Sequence, residues 1–155
     1  MKQMNMVKKI KYSLVALAGV FIFSACGTTQ TVPITGRKHS LLVSDAEVLS
    51  LSKSEYAKYM QTAKRSTDAA STAMVQRVGR RLASAVEDYL RSHGAADEVN
   101  NFDWEFNLVA DKNVNAFCMP GGKIVVYEGL LPVTQTESAL AIVLGHEIAH
   151  AVAKH

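Results

Sequence analysis

The stretch Leu144-Gly145-His146-Glu147-Ile148-Ala149-His150, near the end of this 155-residue chain, decides how the rest is read. Two histidines four positions apart on a helix stand one turn above each other, so both imidazoles reach one ion. Neutral imidazole nitrogen suits zinc at about 2.0–2.1 Å. Glu147 lies about 100° further round the helix than His146, beside such an ion and not on it. There it is placed to take a proton from a water acidified by the metal. The chemistry predicted is metal-assisted peptide hydrolysis, with Zn2+ as cofactor, His146 and His150 as ligands and Glu147 as the catalytic base. Ala139, Ile142, Val143, Ala149 and Val152 around the motif are apolar, which predicts a largely buried helix from which the histidines emerge. Gly145 predicts open room beside the first ligand.

Working back from this helix, Thr134-x-x-Glu137 has the form of a capping box that opens it. Before it come three short strands. Phe102, Trp104, Phe106 and Leu108 alternate with Asp103, Glu105 and Asn107, the period of a half-buried strand. Asn115–Met119 is a second strand, Pro120-Gly121-Gly122 a turn, and Ile124–Tyr127 a third strand. Cys118, within the second strand, reads as a small buried apolar residue. Earlier still, Asp68 to His93 is a helix with an apolar stripe of Met74, Val75, Val78, Leu82, Ala85, Val86, Tyr89 and Leu90, closed by Gly94. Ser44-Asp45-Ala46-Glu47 caps another helix that runs to about Lys64. Helices, then a small largely antiparallel sheet, then the motif helix give an α+β fold.

Composition agrees with one globular domain: 48% of residues are hydrophobic and 20% charged. The formal net charge is +3, but residues 1–25 hold four lysines and no acid. The remaining 13 basic side chains face 14 acidic ones, so no basic surface for nucleic acid is supported. Cys26 and Cys118 are too few for a disulfide framework.

The first 25 residues read as a signal peptide: lysines to Lys11, then an uncharged run from Ser13 to Ala25, too short to span a bilayer. Phe23-Ser24-Ala25-Cys26 resembles a bacterial lipobox, with Phe23 in place of the usual leucine. That predicts cleavage before Cys26 and a lipidated thiol, since each buried acyl CH2 contributes roughly 0.8 kcal/mol of membrane affinity. Residues 26–40 are then a lipidated tether, and 41–155 the N-terminal part of the domain. The location predicted is the bacterial cell envelope, facing the periplasm. The outer membrane is preferred over the inner, because no retention signal follows Cys26.

Asn115-Ala116-Phe117, Pro120-Gly121-Gly122-Lys123-Ile124, Glu128-Gly129-Leu130-Leu131, the histidine motif and the trailing Lys154-His155 together resemble the HtpX-like and CaaX-prenyl-protease-like zinc metallopeptidases of peptidase family M48. Among these the likeness is to bacterial lipoprotein members, and it covers roughly Ser44 to His155. The resemblance implies a gluzincin, zincin-like fold with a small sheet above the active-site helix. It implies the same roles for His146, Glu147 and His150, and a cleft rim formed by Asn115, Ala116 and Phe117. Extended or unfolded polypeptide, including cell-envelope proteins under quality control, would lie along that strand, held by main-chain hydrogen bonds.

In that family the third ligand is a glutamate in a Glu-x-x-x-Asp pattern well downstream, beyond His155. His155 itself lies about 140° round the helix from His150, on another face. Glu128 and Glu137 read as a turn and a capping residue. The chain, ending in mid-helix, is therefore read as a piece of a longer protein. A second class stays open: a catalytically silent binding or chaperone-like lipoprotein that keeps the zincin fold.

Overall fold

The computed structural model describes residues 28–31, 38–41 and 43–154. Residues 1–25, expected to be a signal peptide, and Cys26 lie outside the described residues, as does His155. Two short strands, β1 (Thr28–Thr31) and β2 (Lys38–Leu41), pair antiparallel within and beside the segment expected to be an irregular tether.

Helix α1 spans Asp45–Thr62, and its capping box is complete: the Ser44 hydroxyl accepts from the Glu47 amide, and the Glu47 carboxylate accepts from the Ser44 amide. Helix α2, Ala69–Ser92, starts at Asp68, whose carboxylate accepts from the Ser71 amide at 3.0 Å. It ends where Gly94 takes φ +76°, so that the Ala95 amide reaches back to the Leu90 carbonyl at 2.9 Å. Val75, Val78, Ala83 and Leu90 are its buried line. Tyr89, placed in the apolar stripe by sequence, is 42% exposed and stacks on His93 instead.

A 3₁₀ turn over Ala96–Asn101 leads to β3 (Glu105–Val109), followed by β4 (Ala116–Met119) and β5 (Lys123–Tyr127). The order in space is β3-β5-β4. The β4–β5 hairpin is antiparallel, with Phe117 opposite Val125, whereas β3 runs parallel to β5, with Asn107 beside Val125. The α+β class holds, and the sheet is mixed, with one pairing of each kind. β5 is central and accordingly all but uninterrupted in apolar burial: Ile124, Val125 and Val126 are fully enclosed. β4 is left as an edge.

After a 3₁₀ turn at Glu128–Leu130 and the single helical turn α3 (Leu131–Thr134), helix α4 runs from Glu137 to Val152. The core lies between α2, the sheet and α4, where Val78, Phe106, Ile124, Leu140, Leu144 and Ile148 form one cluster. A second, smaller cluster of Tyr56, Val109 and Val125 sits between the sheet's other face and α1. Among the described residues no helix is long and apolar enough to cross a membrane.

Candidate metal centre

The cap of α4 is not the one its sequence suggested. Gln135 takes a left-handed φ of 59°, which separates the turn of α3 from the helix that follows. The Thr134 hydroxyl is turned back onto the carbonyls of Leu130 and Leu131, and Thr136 caps α4, accepting from the Ala139 amide at 3.1 Å. Glu137 is drawn instead into an exposed ion pair with Arg77 of α2.

From that start, Leu140, Leu144, Ile148 and Val152 recur every fourth residue and form one buried stripe. His146 and His150 stand two positions beyond members of that stripe, about 200° away, and are exposed. The helix is thus buried along one line only. Ile142 is 76% exposed and Ala149 is also at the surface, contrary to the largely enclosed helix expected from composition. Within the protein, a Cβ on Gly145 would meet Leu82 of α2 at 3.9 Å, an ordinary contact.

The Nε2 atoms of His146 and His150 are 3.0 Å apart, with ring planes at 88°. Two nitrogens held tetrahedrally at 2.0–2.1 Å from one zinc are about 3.3 Å apart, so the pair needs only a few tenths of an ångström to fit such an ion. Among the described residues no third histidine, cysteine, aspartate or glutamate joins them in a metal-binding group. The residues present fit two of the positions of a zinc centre.

Glu147, between the two histidines in sequence, is half-buried. Its charge is felt by Cys118, whose thiol is pushed up to about 12 by burial first and by Glu147 second. Cys118 therefore stays a protonated, weakly reactive thiol, in keeping with the packing role read from sequence.

The strand that crosses this helix has two different faces. Ala116 and Cys118 belong to the α4 side of the sheet, and Phe117 and Met119 to the α1 side. Phe117 meets Tyr59 and Tyr127 edge-on at 5.5 and 6.3 Å between ring centroids. The Asn115 carbonyl accepts from the Tyr127 amide at 3.1 Å. By alternation, Asn115, Phe117 and Met119 turn their main-chain groups toward β5, and Ala116 and Cys118 turn theirs outward. Of the three residues expected to form the rim, only Ala116 offers its backbone. Cys118, which sequence reasoning passed over as a contributor, offers the other open pair. The strand's alternation carried that signal.

A helix presenting two convergent histidines and a glutamate beneath an edge strand defines a zincin-type domain. The chain belongs to Peptidase family M48, whose family model matches residues 69–155. It is 45% identical over 65 residues to the mitochondrial metalloendopeptidase OMA1 of Arabidopsis thaliana, covering 42% of this chain and 13% of that protein. To the human mitochondrial metalloendopeptidase OMA1 it is 32% identical over 123 residues, covering 79% of this chain and 23% of that protein. A putative beta-barrel assembly-enhancing protease of Vibrio cholerae is 44% identical over 50 residues, covering 32% and 10% respectively. The chain thus spans less than a quarter of the length of each of these relatives.

Proposed function

We propose that this chain carries part of the active site of a zinc-dependent endopeptidase that hydrolyses extended or unfolded polypeptide, including proteins of the bacterial cell envelope. The observation that carries the reading is the 3.0 Å approach of the two Nε2 atoms on an exposed helix face, with Glu147 beside them in sequence and near enough to Cys118 of β4 for its charge to be felt there. When bound, zinc acidifies water and polarises a carbonyl oxygen. His146 and His150 hold the ion. Glu147 takes the proton of the attacking water and delivers it to the departing amine. The outward amide and carbonyl groups of Ala116 and Cys118 align the substrate as an added strand, with Asn115 and Phe117 holding that strand in place from the β5 side.

The same reading makes residues 1–25 a signal peptide, 26–40 a lipidated tether and Cys26 the acylated residue of a periplasm-facing lipoprotein, held preferentially in the outer membrane. Its support is the basic start, the short apolar run and the small residues before Cys26. An intact mass that begins at Cys26 and includes acyl chains is the expected result, and an unmodified Cys26 would remove the anchor.

The test uses the full-length protein with an unfolded polypeptide substrate. Glu147→Gln should retain zinc yet lose activity by on the order of 10²–10⁴-fold. His146→Ala should lose the zinc itself. Undiminished cleavage by Glu147→Gln would overturn the catalytic assignment. Zinc binding without cleavage by the wild type would favour the silent, binding-protein reading.

A further inference from the structure

Beside His150 lies a cavity of about 180 Å³ that the metal motif does not account for. Val48 and Leu49 of α1, with Leu90, Phe102, Cys118 and Val152, supply its apolar lining. Its lining is overwhelmingly apolar. A cavity of about 150 Å³ lined by Leu, Ile and Phe takes up benzene rather than water, so this one has room for one large aliphatic or aromatic group.

Its position is fixed by contacts outside the motif. The Ser52 hydroxyl of α1 donates to the Pro120 carbonyl at 2.7 Å, and Leu49 sits at ordinary contact distance from the place a Cβ on Gly121 would take. These hold α1 against the turn that follows β4, and Cys118, Pro120 and Gly121 of that strand and turn themselves line the cavity. At its polar corner Lys154 Nζ lies 2.6 Å from Asp45 Oδ2 and 3.3 Å from Glu98 Oε2. Among the described residues Lys154 is already paired there with both carboxylates, and an acidic side chain entering the apolar cavity would lose its hydration.

We propose that this cavity is a specificity pocket, taking one large uncharged apolar side chain, of leucine or phenylalanine size, from the polypeptide aligned along β4. The inference rests on the endopeptidase reading and adds to it a substrate class. His150 stands in the wall of the cavity and in the metal pair, so a side chain seated there belongs to a residue close to the scissile bond. Cys118 contributes to both sites in the same way, by its main chain to the strand edge and by its lining position to the pocket.

The test is a set of peptides varied at single positions to Ala, Leu, Phe or Glu, cleaved by the zinc-loaded full-length protein. At one fixed position Leu or Phe should raise kcat/KM about tenfold or more over Ala, with Glu below Ala. Val48→Phe, which fills the cavity, should reduce that advantage to under twofold. Leu49→Ala, which widens it, should move the preference from Leu toward Phe. A variant that is merely misfolded would slow all four peptides alike. Binding of the uncut peptides to Glu147→Gln gives a readout independent of turnover: the Leu peptide should bind at least fivefold tighter than the Ala peptide, and Val48→Phe should erase the difference. Equal affinities, or an unchanged preference in both variants, overturn the pocket. Failure of the wild type to cleave any peptide, with the affinity difference intact, overturns the endopeptidase reading and leaves the pocket standing.

Discussion

Lys123 Nζ lies 2.7 Å from Glu105 Oε1, across the parallel pairing of β3 and β5, with the lysine side chain almost wholly enclosed and the glutamate half open to water. Asp103 supplies a second carboxylate at 2.8 Å and its own carbonyl at 2.6 Å. The burial is one-sided, and the two ends of the pair should respond differently to mutation. Lys123→Met leaves two carboxylates that water can solvate, and should cost no more than about 1 kcal/mol. Asp103→Asn with Glu105→Gln leaves a buried ammonium without a counter-charge, and should cost about 2–3 kcal/mol. Denaturant titration of the three proteins checks the asymmetry. The hydrogen bond from Lys123 holds the carboxyls of Glu105 and Asp103 below their ordinary values. Carboxyls depressed on folding stabilise above the ordinary carboxylate range and lose that contribution as pH falls through their depressed values. Wild-type melting should therefore fall more steeply below about pH 4 than that of Lys123→Met.

Two helix glycines make opposite predictions. A Cβ on Gly79 of α2 would come within 2.1 Å of the Phe106 ring, inside the core. Gly79→Ala should destabilise by about 2–4 kcal/mol through overpacking. Gly145→Ala meets only Leu82 at 3.9 Å, and should be neutral or stabilising by up to about 1 kcal/mol through helix propensity. Thermal melts of the two variants decide this, and a destabilised Gly145→Ala would show that the motif helix needs clearance there.

The start of α4 separates two candidate caps. Thr136→Ala removes the side-chain acceptor for the Ala139 amide and should cost about 1 kcal/mol. Glu137→Ala removes only an exposed pairing with Arg77 and should change the melting temperature little, with what change there is vanishing at high salt. A larger effect at Glu137 would restore the capping box read from the sequence.

Metal and stability should be linked. Zinc at about 100 times its dissociation constant should stabilise the full-length protein by about 2.7 kcal/mol, a shift reversed by a chelator. His146→Ala should melt at the same temperature with and without added zinc. A zinc-dependent shift that survives in His146→Ala would place the ion elsewhere.

Much of this architecture was legible because its signals are local. The Ser44 capping box, the Gly94 helix end and the His146–His150 spacing each depend on residues within one or two turns. What was misjudged depends on distant chain. Parallel pairing of β3 with β5 is a relation between segments that share no local pattern, and Lys123, a charged residue at the start of β5, is buried only because Asp103 and Glu105 are brought to it. Tyr89 fits an apolar stripe by spacing and Ile142 sits in an apolar neighbourhood, yet both are exposed. Thr134 lost the cap to Thr136 through the left-handed turn at Gln135, a conformation its sequence does not announce. Of the candidate site, the approach of His146 to His150 was readable from their spacing and an open edge at β4 was implied by the resemblance, whereas the cavity beside His150 was not readable.

The open edge of β4 has a cost that has nothing to do with catalysis. Ala116-Phe117-Cys118-Met119 contains no charge and no proline, the two devices by which proteins usually keep a free strand from adding a copy of itself. An edge that takes up unfolded chains by main-chain bonds, as proposed above, would take them up without regard to origin. Concentrated protein is therefore exposed to strand-to-strand self-association, which saturation with a non-cleavable peptide should suppress.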